Sequence, residues 1–390
     1  MKLFWPKNDD FQQELERLKG QKPNIPFAEE VLAFTQSLSK RLVKLRHLPE
    51  VVALGYWLRK ANIAQMQQQF EASNTGKIVR ARGLVFHIAP SNVDTIFVYS
   101  WMLSLLAGNK NVIRISSKAE VNELLQVVLE EVAKFETVSI TTMICTYSHE
   151  EQATALLSEA CHTRIIWGGD ETVKAIRQVP LAPLANELAF PDRFSIAILN
   201  SERVLELNEN ELDALLEKFY NDVFWFDQMA CSSPRLVIWQ GEAVPKFWTQ
   251  FEQKIKQKNY ELLAATQVLK YTTSLQLAAE SHVEKVAPTT YFSRVQLQNV
   301  PAIAREQHCG GGLFYEYEIE TLADLANIVI DKDQTLAYYG FEKPELSELA
   351  MCIQTRGLDR IVPVGQALDF SGVWDGQSFL TSFTREVVII

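Results

Sequence analysis

The 390-residue chain is predicted to be an α/β protein built on an open parallel sheet with helices on both faces. From Gly83 onward, short apolar runs alternate with longer segments of helical period, which is the pattern of strand, helix, strand connections. A second alternating region follows the polar, acidic stretch at 201–213. Ahead of both, through about residue 70, the chain is charged and purely helical in period, so a helical cap precedes the sheet.

In the cap, Val31, Leu32, Phe34, Leu38, Leu42 and Leu45 recur at three-to-four spacing, and the helical pattern resumes over 51–70 after Pro49. Residues 84–89 form a buried strand. A helix over 93–107 follows, with Ser91 and Asp94 spaced as a capping box and Gly108-Asn109 as its stop. The series continues as strand 111–116, helix 121–135, strand 139–147, helix 150–160, strand 163–167, helix 172–179 and strand 194–199. In the second region, 236–239 is an apolar strand and 244–260 is helical. The glycine run Gly310-Gly311-Gly312 precedes the aromatic Phe314, Tyr315 and Tyr317, and 383–390 reads as a closing strand.

Composition narrows the function classes. With 47% hydrophobic and 22% charged residues, the chain has the balance of a folded protein long enough for two domains. A net charge of −10 without a dense Lys/Arg block argues against nucleic acid as a partner. The apolar stretches fall short of a bilayer span and the start lacks a signal peptide's apolar run, so a soluble, cytoplasmic protein is expected. The five cysteines are odd in number, widely separated and never in a C-x-x-C pair. Reduced thiols are therefore expected, with neither a disulfide framework nor a zinc site.

Of these thiols, Cys231 stands out. It sits in DQMACSSPR at 227–235, a small-residue loop directly ahead of a strand, which is the setting of a nucleophile more than of packing filler. In open parallel sheets ligands bind at the carboxyl ends of strands, which directs attention to Pro90-Ser91-Asn92, Ser116-Ser117-Lys118 and Gly168-Gly169-Asp170. No G-x-G-x-x-G or P-loop motif occurs, so a nucleotide site must be of another kind. Gly168-Gly169 would let backbone approach a pyrophosphate at a helix start, although an ordinary strand-to-helix turn is the simpler reading. Arg114, Ser116, Ser117 and Lys118 offer two cations and two hydroxyls for a phosphate or ribose, or else a solvated loop with a capping serine. The absence of an acidic residue at that strand end favours NADP over NAD. Asn92 could donate to an oxyanion, a role worth roughly 2.7–4 kcal/mol in well-studied sites, or serve as a turn residue. His87, inside a strand, reads as a satisfied core side chain, and a dyad of Cys231 with a histidine distant in sequence stays open.

Taken together, the motifs resemble those of LuxC-type acyl-CoA reductases: GLVFHIAPSNV at 83–93, LLAGN at 105–109, RISS at 114–117, WGGD at 167–170, FPDR at 190–193, ACSSP at 230–234, DRIVPVGQALD at 359–369 and VWDG at 373–376. These reductases are similar to the wider aldehyde dehydrogenase superfamily. The resemblance implies two Rossmann-like parallel-sheet domains, with N-terminal helices and the cofactor domain over 1–200, a catalytic domain over 201–370 and an oligomerisation arm over 371–390. It implies Cys231 as nucleophile and Asn92 as oxyanion donor. Arg114 and Ser116 would lie at the adenosine-binding strand end, with Gly168 and Gly169 beside the pyrophosphate. Ser117 would replace the ribose-binding acidic residue of NAD-preferring members, which points to NADPH. Glu187 falls roughly where hydrolytic aldehyde dehydrogenases keep a general-base glutamate, but the surrounding glycines are missing and a thioester reductase needs no deacylating water. The spacing from Gln228 to Cys231 is one residue longer than the general aldehyde dehydrogenase pattern. The implied reaction is NADPH-dependent reduction of a long-chain acyl thioester, on CoA or on a protein, to a fatty aldehyde through an acyl-cysteine. The implied partners are an acyl-protein synthetase, an acyl-transferase and further copies of the chain. A cysteine-dependent thioesterase or acyltransferase and a non-catalytic acyl-carrying subunit are the rival readings.

Overall fold

Strands that are buried along their whole length need cover on both faces, and Leu84–Ile88, Lys110–Arg114 and Thr163–Trp167 are buried at every position. The computed structural model describes residues 1–8, 10–90, 95–116, 122–148, 152–280 and 283–390. They divide into two units, Met1–Asp192 together with Phe370–Ile390, and Arg193–Asp369.

The first unit is organised by a six-stranded sheet in the order Lys2–Trp5, Thr142–Thr146, Lys110–Arg114, Leu84–Ile88, Thr163–Trp167, Asn186–Phe190. All its pairings are parallel except that of the edge strand Lys2–Trp5. Alternate residues of each strand enter different cores: Val85, Ile113, Ile144 and Trp167 on one face, Leu84, Phe86, Val112 and Met143 on the other. The helix Glu29–Leu42 puts Val31, Phe34, Leu38 and Leu42 into the first of these cores, beside the almost wholly buried helix Thr95–Leu106. The N-terminal helices are thus a layer of the α/β unit, not a separate cap. The capping pair Ser91 and Asp94 lies outside the described residues.

Several boundaries differ from the sequence reading. The expected strand at 139–147 is preceded by a short helix, Glu136–Ile140, which supplies no sheet pairing. The strand beside Thr163–Trp167 is Asn186–Phe190, whereas Phe194–Asn200 belongs to the second sheet. Pro191, which has no N–H, follows directly after the first of these strands. Beyond it, Phe194 N–H donates to the Lys332 carbonyl at 2.9 Å, and the Arg193 guanidinium bonds the Asp359 carboxylate at 2.8 Å and the Asp333 carbonyl at 3.0 Å. An apolar run does not declare which sheet it will join; these contacts decide it. The last segment returns to the first unit, where Trp374, Phe379 and Phe383 enter the core with Trp167 and Thr384–Val387 pairs antiparallel with Ile78–Ala81.

The second unit holds a seven-stranded sheet in the order Val283–Pro288, Ser293–Leu297, Leu313–Ile319, Pro234–Gln240, Phe194–Asn200, Asp333–Tyr339, Arg360–Pro363. Only its first pair is antiparallel. Val237 and Trp239 face an aromatic core of Phe219, Phe247, Phe251 and Phe314, while Leu236 and Ile238 face Phe194 and Tyr315. The acidic stretch at 201–213 resolves into a short helix, Ser201–Leu205, and the start of the helix Glu209–Phe224, where Asn208 and Glu211 form a capping box. Among the described residues, no helix is long and apolar enough to cross a membrane.

A two-pronged ion pair is sealed into this unit. Arg305 Nε and Nη2 donate to the two Asp333 oxygens at 2.7 and 2.8 Å, with side-chain exposures of 1% and 0%. Removing one partner strands a buried charge, so Arg305→Ala is expected to lower unfolding free energy by about 3–5 kcal/mol, as read by urea denaturation.

Candidate active site

The parallel order of the first sheet gathers three strand ends at one edge. Leu84–Ile88 lies between Lys110–Arg114 and Thr163–Trp167, so the segments after Ile88, Arg114 and Trp167 are neighbours. Arg114, Ser116, Gly168 and Gly169 thereby lie along the same sheet edge, while Asn92 and Ser117 lie outside the described residues. Arg114 is 9% exposed, its guanidinium stands 5.3 Å from the Tyr147 ring centroid, and its buried Nε has no hydrogen-bond partner among the described residues. An orphaned guanidinium N–H at a strand's carboxyl end fits an anionic ligand group. Gly169 is the N-cap of the helix Asp170–Arg177, whose first-turn N–H groups face outward along the axis. One of them, from Asp170, already donates to Asp192 Oδ2 at 3.4 Å, and a Cβ at Gly169 would stand 2.9 Å from that same oxygen. The smallness of Gly169 thus makes room for Asp192.

Glu187 does not join this edge. It stands second in Asn186–Phe190 and registers against Arg164, at the amino end of the strands, opposite to Gly168. Its Oε2 accepts from Arg164 at 2.6 and 2.9 Å and its Oε1 from Arg177 at 2.8 Å. Both oxygens serve ion pairs, which corrects the expectation of a general base. The loss in Glu187→Gln should be structural: a stability decrease of about 3 kcal/mol with turnover within roughly threefold of wild type, measured by denaturation and steady-state assay on one preparation.

In the second unit Cys231 is half-buried on the loop between the helix Glu209–Phe224 and the strand Pro234–Gln240. The helix ends into two left-handed residues, Asp227 at φ 50° and Gln228 at φ 60°. Left-handed non-glycine residues cost about 1–3 kcal/mol each and persist where their surroundings hold them. Here Gln228 N–H donates to the Val223 carbonyl and Met229 N–H to Phe226, each at 2.7 Å, and the Tyr260 hydroxyl donates to Asp227 Oδ1 at 2.7 Å. The Gln228 amide donates to the Pro234 carbonyl at 2.8 Å and accepts from Gly312 N–H at 3.0 Å. The Ser195 hydroxyl donates to the Cys231 carbonyl at 2.7 Å.

The glycine run explains itself against this loop. Gly310, Gly311 and Gly312 are all left-handed, at φ 70°, 62° and 80°, and a Cβ at Gly310 would meet Met229 Sδ at 2.6 Å. Gly311 N–H donates to the Asp227 carbonyl at 2.8 Å. Sequence reasoning noted the run without assigning it a partner, and it missed Gln228 and Ser195 as loop contacts, because each acts on residues distant in sequence.

Two histidines are accounted for by local bonds. His308 Nε2 donates to the Leu313 carbonyl at 2.8 Å and its Nδ1 accepts from Gly310 N–H at 3.0 Å, so neither nitrogen is available to a thiol. Burial, reinforced by the Arg235 charge, holds it neutral. His87 lies between Ser100 Oγ at 2.9 Å and Asn111 Oδ1 at 3.0 Å, a satisfied core side chain whose burial pushes its pKa down to about 4. The unfolded chain accepts that proton near 6.5, so stability should fall as pH drops from about 6.5 toward 4. His87→Gln should flatten this dependence in denaturation midpoints taken across that window. Beside the glycine run, burial raises the Cys309 thiol and pushes the Lys270 amine down to about 8, with Nζ donating to the Tyr291 carbonyl at 3.1 Å.

Comparison with solved structures places this architecture among the aldehyde dehydrogenases. An NAD-dependent aldehyde dehydrogenase from Sinorhizobium meliloti superposes with a TM-score of 0.70 at 11% identity, over 97% of this chain and 86% of that one. That likeness is one of fold. The profile of the acyl-CoA reductase (LuxC) family matches residues 62–262, just over half of the chain, and the chain belongs to that family. It is 26% identical over 180 residues to the long-chain acyl-protein thioester reductase of Aliivibrio fischeri and 25% identical over 181 residues to long-chain acyl-protein thioester reductase 2 of Photobacterium leiognathi. Each match covers 45% of this chain and 35% of the relative.

Proposed function

We propose that the protein reduces a long-chain acyl thioester to a fatty aldehyde with NADPH, through an acyl-cysteine on Cys231. The carrying observation is the loop itself: a half-buried thiol at a strand entrance, held by hydrogen bonds at both feet and inside the stretch matched by the reductase family.

The Cys231 thiolate attacks the thioester carbonyl carbon, Asn92 donates to the resulting oxyanion, and collapse breaks the carbon–sulfur bond to the donor thiol. A thiol of ordinary pKa, about 8.5, is only a few per cent ionised at neutral pH, so attack is coupled to loss of the Cys231 proton. The nicotinamide cofactor supplies hydride to the acyl carbon when bound. Arg114, Ser116, Ser117, Gly168 and Gly169 would hold it, and the orphaned Nε of Arg114 is the feature that suits an anionic adenosine end. Release of aldehyde returns Cys231 to the thiol. The acyl donor is CoA or an acyl-protein; an acyl-protein synthetase and an acyl-transferase are the fitting partners, and the C-terminal arm is assigned to self-association.

Incubation with long-chain acyl-CoA should label the wild-type protein at Cys231. Cys231→Ala is expected to lose both the label and NADPH-dependent aldehyde formation, and normal turnover in that variant overturns the mechanism. Acyl-CoA hydrolysis without NADPH consumption would instead identify a thioesterase.

A further inference from the structure

We infer that Gln228 is the positioning residue of the Cys231 nucleophile, an inference that rests on the role just given to Cys231. Gln228 stands at one foot of the loop, and its amide donates to the carbonyl of Pro234 at the other foot. The side chain therefore closes a ring around residues 229–233 with Cys231 at its middle. The other end of the same amide accepts from Gly312 N–H, which ties the ring to the entrance of the strand Leu313–Ile319. Gln228 is 0% exposed, so both bonds are made away from water, and an amide left unpaired there would bear its full desolvation penalty. The Ser195 hydroxyl fixes the middle of the ring from the neighbouring strand, by its bond to the Cys231 carbonyl.

The chemistry requires glutamine. One bond needs a donor and the other an acceptor at the ends of a planar group, which a carboxylate cannot supply: glutamate would set oxygen against the Pro234 carbonyl oxygen. Asparagine is one methylene shorter and does not span the ring. The left-handed backbone at Asp227 and Gln228 turns this side chain inward under the loop, so the local strain and the strap belong to one device. Thiol attack is sensitive to placement at the scale of about 1 Å, where a displacement costs on the order of 100-fold in rate.

The test uses the full chain with Gln228→Glu and, as a shape-conserving apolar variant, Gln228→Met. Iodoacetamide alkylation of Cys231 is followed by peptide mass spectrometry across the thiol titration range, with exposed Cys352 in the same molecules as the reference thiol. In whichever variant stays folded by circular dichroism, the Cys231-to-Cys352 rate ratio or its pH midpoint should shift. The kcat on long-chain acyl-CoA should fall about 10–100-fold, with KM for NADPH within roughly twofold of wild type. A folded variant with lowered unfolding midpoint but wild-type ratio, pH midpoint and kcat would overturn the inference and leave Gln228 a stabilising residue. If the wild-type protein reduces no thioester, the proposed function fails, while the alkylation ratio still decides whether Gln228 positions Cys231.

Discussion

A parallel strand pair can be joined only by a crossover that carries the chain back to the same end, and this requirement organises both units. Every crossover lays a helix or loop across a face, so both faces of Leu84–Ile88 and of Pro234–Gln240 are covered and their side chains enter two cores by turns. The same requirement collects the segments that leave the strands' carboxyl ends along one edge. Arg114 and Gly168, some fifty residues apart in the chain, come to the same edge because their strands flank Leu84–Ile88. Glu187 is excluded from that edge by the same geometry, since it belongs to the other end of its strand.

The loop that carries Cys231 departs from the regularity around it. Two left-handed residues open it, three left-handed glycines press against it, and a buried amide spans its feet. Each feature alone would be unfavourable or neutral: strained φ values, glycine's conformational freedom, an amide without water. Together they satisfy one another, which is how a short segment without regular structure holds one conformation beside a seven-stranded sheet. Of the other cysteines, Cys309 adjoins the glycine run itself, half-buried. Cys145 and Cys161 are buried in the first unit, and Cys352 ends an exposed helix turn.

Several buried or half-buried ionisable groups in both units are held by specific partners. Arg164 and Arg177 occupy Glu187, Asp333 occupies Arg305, and Ser100 with Asn111 brackets a neutral His87. Glu316 accepts from the indoles of Trp239 and Trp248 and from Arg294, placing a carboxylate inside an aromatic core. In the first unit the Arg114 Nε, at the carboxyl end of its strand, is among the buried polar atoms without a hydrogen-bond partner in the described residues.

The amino-acid sequence by itself determined the alternation of strand and helix through 84–179, the nucleophile-like setting of Cys231, the small residues at the strand ends and, through its motifs, the family. These are readable because hydrophobic period, turn residues and short motifs are local properties. Only the tertiary structure decided that Phe194–Asn200 joins the second sheet, that 370–390 returns to the first unit, that Lys2–Trp5 adds an antiparallel edge, and that Glu187 is held by two arginines. It alone joined Gln228 to Pro234 and Gly312, and Ser195 to Cys231. The physical reason is that these are pairings between groups far apart in the chain. A strand's partner, a carboxylate's counter-ion and an amide's two bonds are chosen by whichever complementary groups the fold brings within hydrogen-bond distance, and no local pattern encodes that choice.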